Sequence, residues 1–117
     1  MLTPAAVAEA VKPLLGNNQV VIMHVAGRAL GPVEGRGAGV SAGLLMAMEG
    51  RTLVTPAFTP QLVDPACSLT PESCEDPLES RRAKLPSFNR WTPPSGVGSL
   101  ARELIADPQA ERSTHPI

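Results

Sequence analysis

Tyrosine is absent from the chain, and Phe58, Phe88 and Trp91 are its only aromatic residues. A core must therefore be built mainly from Leu, Val and Ala, and rings on which bases stack are nearly missing. Basic blocks are missing too: ten Lys and Arg stand against eleven Asp and Glu, a formal charge of −1. A dedicated nucleic-acid binder needs clustered positive charge, so no nucleic-acid partner is expected. No apolar run is long; the longest, Val40 to Met48, falls far short of a membrane span, and no membrane association is expected. The first fifteen residues lack a basic n-region, include Glu9 and Lys12 and are broken by Pro13, unlike a signal peptide, which points to a cytoplasmic protein. Cysteine is scarce: Cys67 and Cys74 have six residues between them and no nearby His, the spacing of neither a zinc site nor a redox pair. Two free thiols and no metal are the expectation. There is no G-x-S-x-G elbow, no H-E-x-x-H helix and no P-loop lysine pattern.

What remains is a chain of 117 residues, 43% hydrophobic and 18% charged, enough for one small and thinly cored domain. Thr3 is a candidate N-cap with Pro4 at the first helical position, and Ala5 to Val11 suits a helix until Pro13 ends or kinks it. Val20 to Met23 is a short β-branched apolar run, the pattern of a strand buried on both faces, and it ends at His24. Glycines follow at 27, 31, 35, 37 and 39; then Val40, Leu44, Leu45 and Met48 form the apolar stripe of a helix that Gly50 stops. Thr52 to Thr55 reads as a second buried strand. Strand, glycine loop, helix and strand make a βαβ unit, whose strands should be parallel. Residues 1–58 thus hold a leading helix and the βαβ unit. Residues 59–95 are a proline-rich loop segment, with one short helical candidate opened by Asp76 and Pro77. Residues 96–117 hold a helix, opened at Ser95 or Gly96 with Val97, Leu100, Ala101, Leu104 and Ile105 on one face, and a tail. Asp107-Pro108 ends that helix.

Glycines let a backbone approach a ligand closely, and the amides of a helix start attract anions, so the loop after the first strand is a candidate phosphate site to which Arg28 and Arg36 add charge. The competing reading is a flexible connector. Gly37 to Ala42 fits the G-x-G-x-x-A form of a dinucleotide fingerprint, but that motif needs a tight turn directly after its strand, and here the strand ends well before it. His24 stands at the carboxyl end of the first strand, where open α/β sheets bind ligands; a packed or solvated histidine is the ordinary alternative. His115 lies in the polar tail Arg112-Ser113-Thr114-His115-Pro116, which composition alone reads first as a frayed end. The acidic stretch Glu72, Glu75, Asp76 and Glu79 reads as a solvated loop.

Taken in order, Met23-His24, Leu30 to Gly35, Gly50 to Thr59, Leu85 to Asn89, Thr92-Pro93, Gly98 and Arg112 to Pro116 resemble the aminoglycoside 3-N-acetyltransferase family across roughly residues 5–117. The resemblance implies an acetyl-CoA-dependent transferase that acetylates an aminoglycoside amine, with acetyl-CoA as cosubstrate, the antibiotic as partner, and antibiotic resistance as the outcome. It also implies that the segment after the first strand and the R-S-x-H-P segment lie along the coenzyme A channel. Carried onto this sequence, the coenzyme-binding residues are His24, Gly27, Arg28, Gly31, Val33, Arg112, Ser113 and His115, with the coenzyme loop at residues 24–37.

Several positions depart from the family pattern. Val25 and Ala26 stand where one or two serines usually follow the strand-end His, and Asn89 replaces an aspartate. Family members are longer than this chain, and the resemblance places the catalytic His and its carboxylate partner in a half that would follow Ile117. The expectation is therefore an α/β chain, the N-terminal βαβ unit of a larger α/β/α sandwich, truncated, with unknown catalytic residues and weak or no activity. The alternatives are a non-catalytic CoA- or nucleotide-binding module, and an unfolded remnant whose fold a second chain completes.

Overall fold

The computed structural model describes residues 1–62 and 87–115. The first helix, α1 (Pro4–Leu15), starts as the sequence dictates, with the Thr3 hydroxyl accepting the amide of Ala6 at 3.1 Å and Pro4 in the first turn. Its end differs from expectation: the helix runs through Pro13 to Leu15. A proline so near a helix end forfeits one intrahelical hydrogen bond. Leu15 offsets that loss by entering a cluster with Ala8, Ala47 and Met48, a burial that contributes about 2 kcal/mol. Carbonyls at the end of α1 and in the turn just past it are then taken by Arg51, which donates to Gly16 O at 2.9 Å, Asn18 O at 2.8 Å and Leu15 O at 3.4 Å. Without such partners these groups would need water.

Strands β1 (Val20–Ile22) and β2 (Thr52–Val54) pair in parallel, with Val20 opposite Thr52, Val21 opposite Leu53 and Ile22 opposite Val54. Between them lie a single 3-10 turn at Gly27–Leu30 and α2 (Arg36–Ala47), so the βαβ order holds. Two-sided burial of the strands does not hold. Val21 and Leu53 pack with Met23 against α1 and α2, but Val20 and Ile22 are 62% and 67% exposed. The reason is that the core of the described residues lies on one face of the sheet only. Each strand is three residues long, shorter than the apolar run that announced it. Thr55 extends the pairing by donating its hydroxyl to Met23 O at 3.0 Å.

Helix α2 packs on both α1 and the last helix, α3 (Ser99–Ala106). The α1–α2 crossing depends on Gly43: a methyl built there would lie 2.6 Å from Pro4 O and 2.8 Å from Val7 Cβ, so the helices touch backbone to backbone. Val7, Val33, Val40, Leu44 and Leu100 form the core around this contact. Helix α2 begins at Arg36, before the first residue of the predicted stripe, and Leu45 of that stripe is exposed. Helix α3 begins at Ser99, later than predicted, and ends at Asp107 as expected. The delay has a backbone cause, since Gly96 (φ 73°) and Gly98 (φ 80°) both sit at positive φ, outside helical geometry. The helical candidate at Asp76-Pro77, the acidic stretch and both cysteines lie outside the described residues. None of the helices of the described residues is long and apolar enough to cross a membrane.

Candidate functional site

Among the described residues, two concavities are formed in part by the βαβ unit, and α3 contributes to both. The first, of about 520 Å³, is built from the glycine segment. Leu2 starts it: its amide donates to Pro32 O at 2.9 Å and its carbonyl accepts from Glu34 N at 2.8 Å, pinning the N-terminal residues against the loop. Gly27, Gly31, Val33, Gly35 and Gly37 then form much of the wall, with Ser99 of α3 opposite. Gly35 is the N-cap of α2 in the left-handed conformation, φ 77°, a geometry a side chain would strain. The next residue, Arg36, carries that strain itself: it lies at φ 55°, the one non-glycine at positive φ among the described residues, and its side chain stands on the rim. The Arg36 amide is taken by Val33 O at 2.9 Å, and the helix start, with the positive polarity of its dipole, opens onto this cavity. One negative group lies close by. A methyl built at Gly37 would be 3.3 Å from Glu103 Oε1, which places this carboxylate of α3 against the start of α2.

The second concavity is a groove of about 660 Å³ along β2 and the segment after it. Leu53, Phe58, Leu104 and Ile105 give it an apolar floor, and Ser113 and His115 line it from the tail. The tail is held by two arginines. Arg90 donates to the carbonyls of Ala110 and Asp107 and lies 4.9 Å from the centre of the Trp91 ring. Arg112 donates to Ala57 O and Arg90 O at 2.9 Å each and to Thr92 O at 2.5 Å, with its face 4.8 Å from the centre of the Phe88 ring. Burial pushes the Arg112 guanidinium below its ordinary range, though an arginine so shifted stays charged. The Ser113 hydroxyl donates to His115 O at 3.4 Å, bending the tail back on itself.

The structure thus divides the eight predicted residues. Gly27, Gly31 and Val33 line the glycine cavity; Arg112, Ser113 and His115 line the groove. His24 and Arg28 are exposed and line neither. Among the described residues no three His, Cys, Asp or Glu side chains gather as metal ligands. Sequence reasoning missed Ser99, Glu103, Phe88, Arg90 and Arg51. Their partners lie far along the chain or across the fold, and no local spacing marks them. Arg51 and Phe88 stand in motif segments whose meaning only the tertiary contacts supply.

The family model of aminoglycoside 3-N-acetyltransferase matches residues 22–117. No curated protein and no solved structure matches the chain. The matched span begins inside β1 and takes in the whole glycine segment, the groove and the tail. It covers most of the chain and agrees with the order of short motifs in the sequence: the chain belongs to the aminoglycoside 3-N-acetyltransferase family.

Proposed function

We propose that the chain is a cytoplasmic acetyl-CoA-binding protein serving acetyl transfer to an aminoglycoside amine, with the anionic part of the coenzyme held by the glycine segment 24–37. The observation that carries this reading is the glycine-walled cavity at the start of α2 with Arg36 on its rim, in a chain of this family. Close-approaching backbone, helix-start polarity and a rim guanidinium suit a pyrophosphate. Gly27, Gly31 and Val33 would face it, with Arg28 and His24 nearby in the same loop. Ser113 and His115 would stand beside the apolar groove, whose floor suits the uncharged arm of the coenzyme.

Bound acetyl-CoA would supply the acetyl group as a thioester, and the products are the N-acetylated aminoglycoside and the free thiol. An aminoglycoside amine is largely protonated near neutral pH and must give up a proton before it attacks a carbonyl. Of the two imidazoles in the chain, His115 lines a concavity and His24 does not. Calorimetric titration with acetyl-CoA, followed by a thiol-release assay over a panel of aminoglycosides, tests the reading. Saturable binding supports it, and binding without thiol release identifies a non-catalytic coenzyme module. No binding at millimolar acetyl-CoA overturns it.

A second reading, that another chain completes the fold, draws on the exposed Val20 and Ile22 of the sheet. Sedimentation of the pure chain checks self-association as one form of it.

A further inference from the structure

Arg112 stands in the tail motif and reads, from sequence, as a ligand for an anion. Its surroundings are those of a different kind of residue. Three of its N–H bonds end on main-chain carbonyls from two separate segments: Ala57, just past β2, and Arg90 and Thr92, in the turn that follows Phe88. The flat face of the guanidinium covers the Phe88 ring. Among the described residues no carboxylate pairs with it. Three segments far apart in sequence, Thr55 to Thr59, Phe88 to Thr92 and Arg112 to His115, therefore meet at one side chain.

We propose that Arg112 is a positioning residue: it clasps the tail to the segments that bound the groove and so fixes where Ser113 and His115 stand on it. The carbonyl fan sets the position of the backbone at residue 112. One residue later the Ser113 hydroxyl closes onto His115 O, so the placement passes on to the backbone that carries the imidazole within three residues. A planar fork is what this arrangement needs. Lysine keeps the charge but, as a single compact ammonium on a flexible stem, cannot reach carbonyls on two sides while covering a ring. This inference deepens the coenzyme reading, and rests on it where the function of the placed groups is concerned.

The test is Arg112→Lys, read in two ways. The first needs no ligand: the imidazole signals of His115 in a carbon–proton spectrum, assigned with His24→Gln, and their titration. Methyl signals of Val7, Leu44 and Leu100 in the same sample report the core. Arg112→Lys is expected to change the positions of the His115 signals while the core methyls stay in place. Phe88→Leu leaves all three carbonyl bonds available but removes the ring beneath the fork, and should shift His115 in the same direction. The second reading is affinity, for acetyl-CoA and for uncharged pantetheine. A clasp predicts that Arg112→Lys weakens both by the same factor, about tenfold. Wild-type His115 signals in both variants would overturn the proposal. So would loss of acetyl-CoA affinity with pantetheine binding untouched, the mark of a direct anion ligand. If the wild type binds neither compound, the coenzyme reading fails, while the His115 signals still decide whether Arg112 positions the tail.

Discussion

Two arginines show how little a residue type says until its partners are known. Arg51 follows Gly50 in the turn after α2, and its fork is spent on the end of α1 and the turn past it, more than thirty residues earlier. Replacing it with Ala should lower stability by about 2 kcal/mol, because several carbonyls lose a charged donor at once, and Arg51→Lys should recover little of it; denaturant melts check both. Arg36 is the reverse case. It is held at φ 55°, a conformation that costs a non-glycine residue about 1 kcal/mol, at the edge of the glycine cavity. Arg36→Gly is therefore expected to raise the melting temperature and at the same time weaken acetyl-CoA binding, a trade that calorimetry on one preparation resolves. Sequence reasoning marked Arg36 as a nearby charge and expected Arg112 to bind the coenzyme. It did not find what Arg51, Arg90 or Arg112 bind, because main-chain carbonyls leave no trace in a side-chain pattern.

At the scale of elements, the parts that local chemistry controls were legible. The Thr3 cap, the parallel strand pair, the glycine start of α2 and the Asp107 stop of α3 all follow from residues next to the feature. Boundaries set by tertiary contact were not. Helix α1 crosses Pro13 because Leu15 has a cluster to enter, and no rule about proline sees that cluster. The strands read as buried on both faces because a β-branched run looks alike whether one side or two is covered. The packing of α3 on the start of α2 likewise sets a charge where the sequence shows only a helix face. Glu103→Gln removes a carboxylate that competes with any anion at the first turn of α2. It should tighten acetyl-CoA binding about two- to fivefold and cost about 0.5 kcal/mol of stability, since the same carboxylate favours the helix start. Unchanged affinity would mean that the anion lies elsewhere.

At the scale of the whole molecule, helices cover one face of the two-stranded sheet among the described residues, and Val20, Ile22 and Val54 on its other face are exposed. A two-stranded sheet is marginal in water unless something packs on it, and here α1 and α2 do that. The exposed face should therefore add little to folding. The double variant Val20→Thr with Ile22→Thr is expected to unfold within about 0.5 kcal/mol of the wild type, whereas a loss of several kcal/mol would show that the face is covered in solution. The same architecture brings α3 against both concavities, the one walled by the glycine segment and the one lined by the tail.

The most direct test of the account is a thermal melt followed by far-UV circular dichroism, with and without acetyl-CoA. A ligand that binds only the folded chain must raise its stability, by about 2.7 kcal/mol when present at one hundred times its dissociation constant. The account predicts a cooperative transition whose midpoint rises as acetyl-CoA is added. A cooperative transition that stays at the same temperature up to millimolar acetyl-CoA would contradict it.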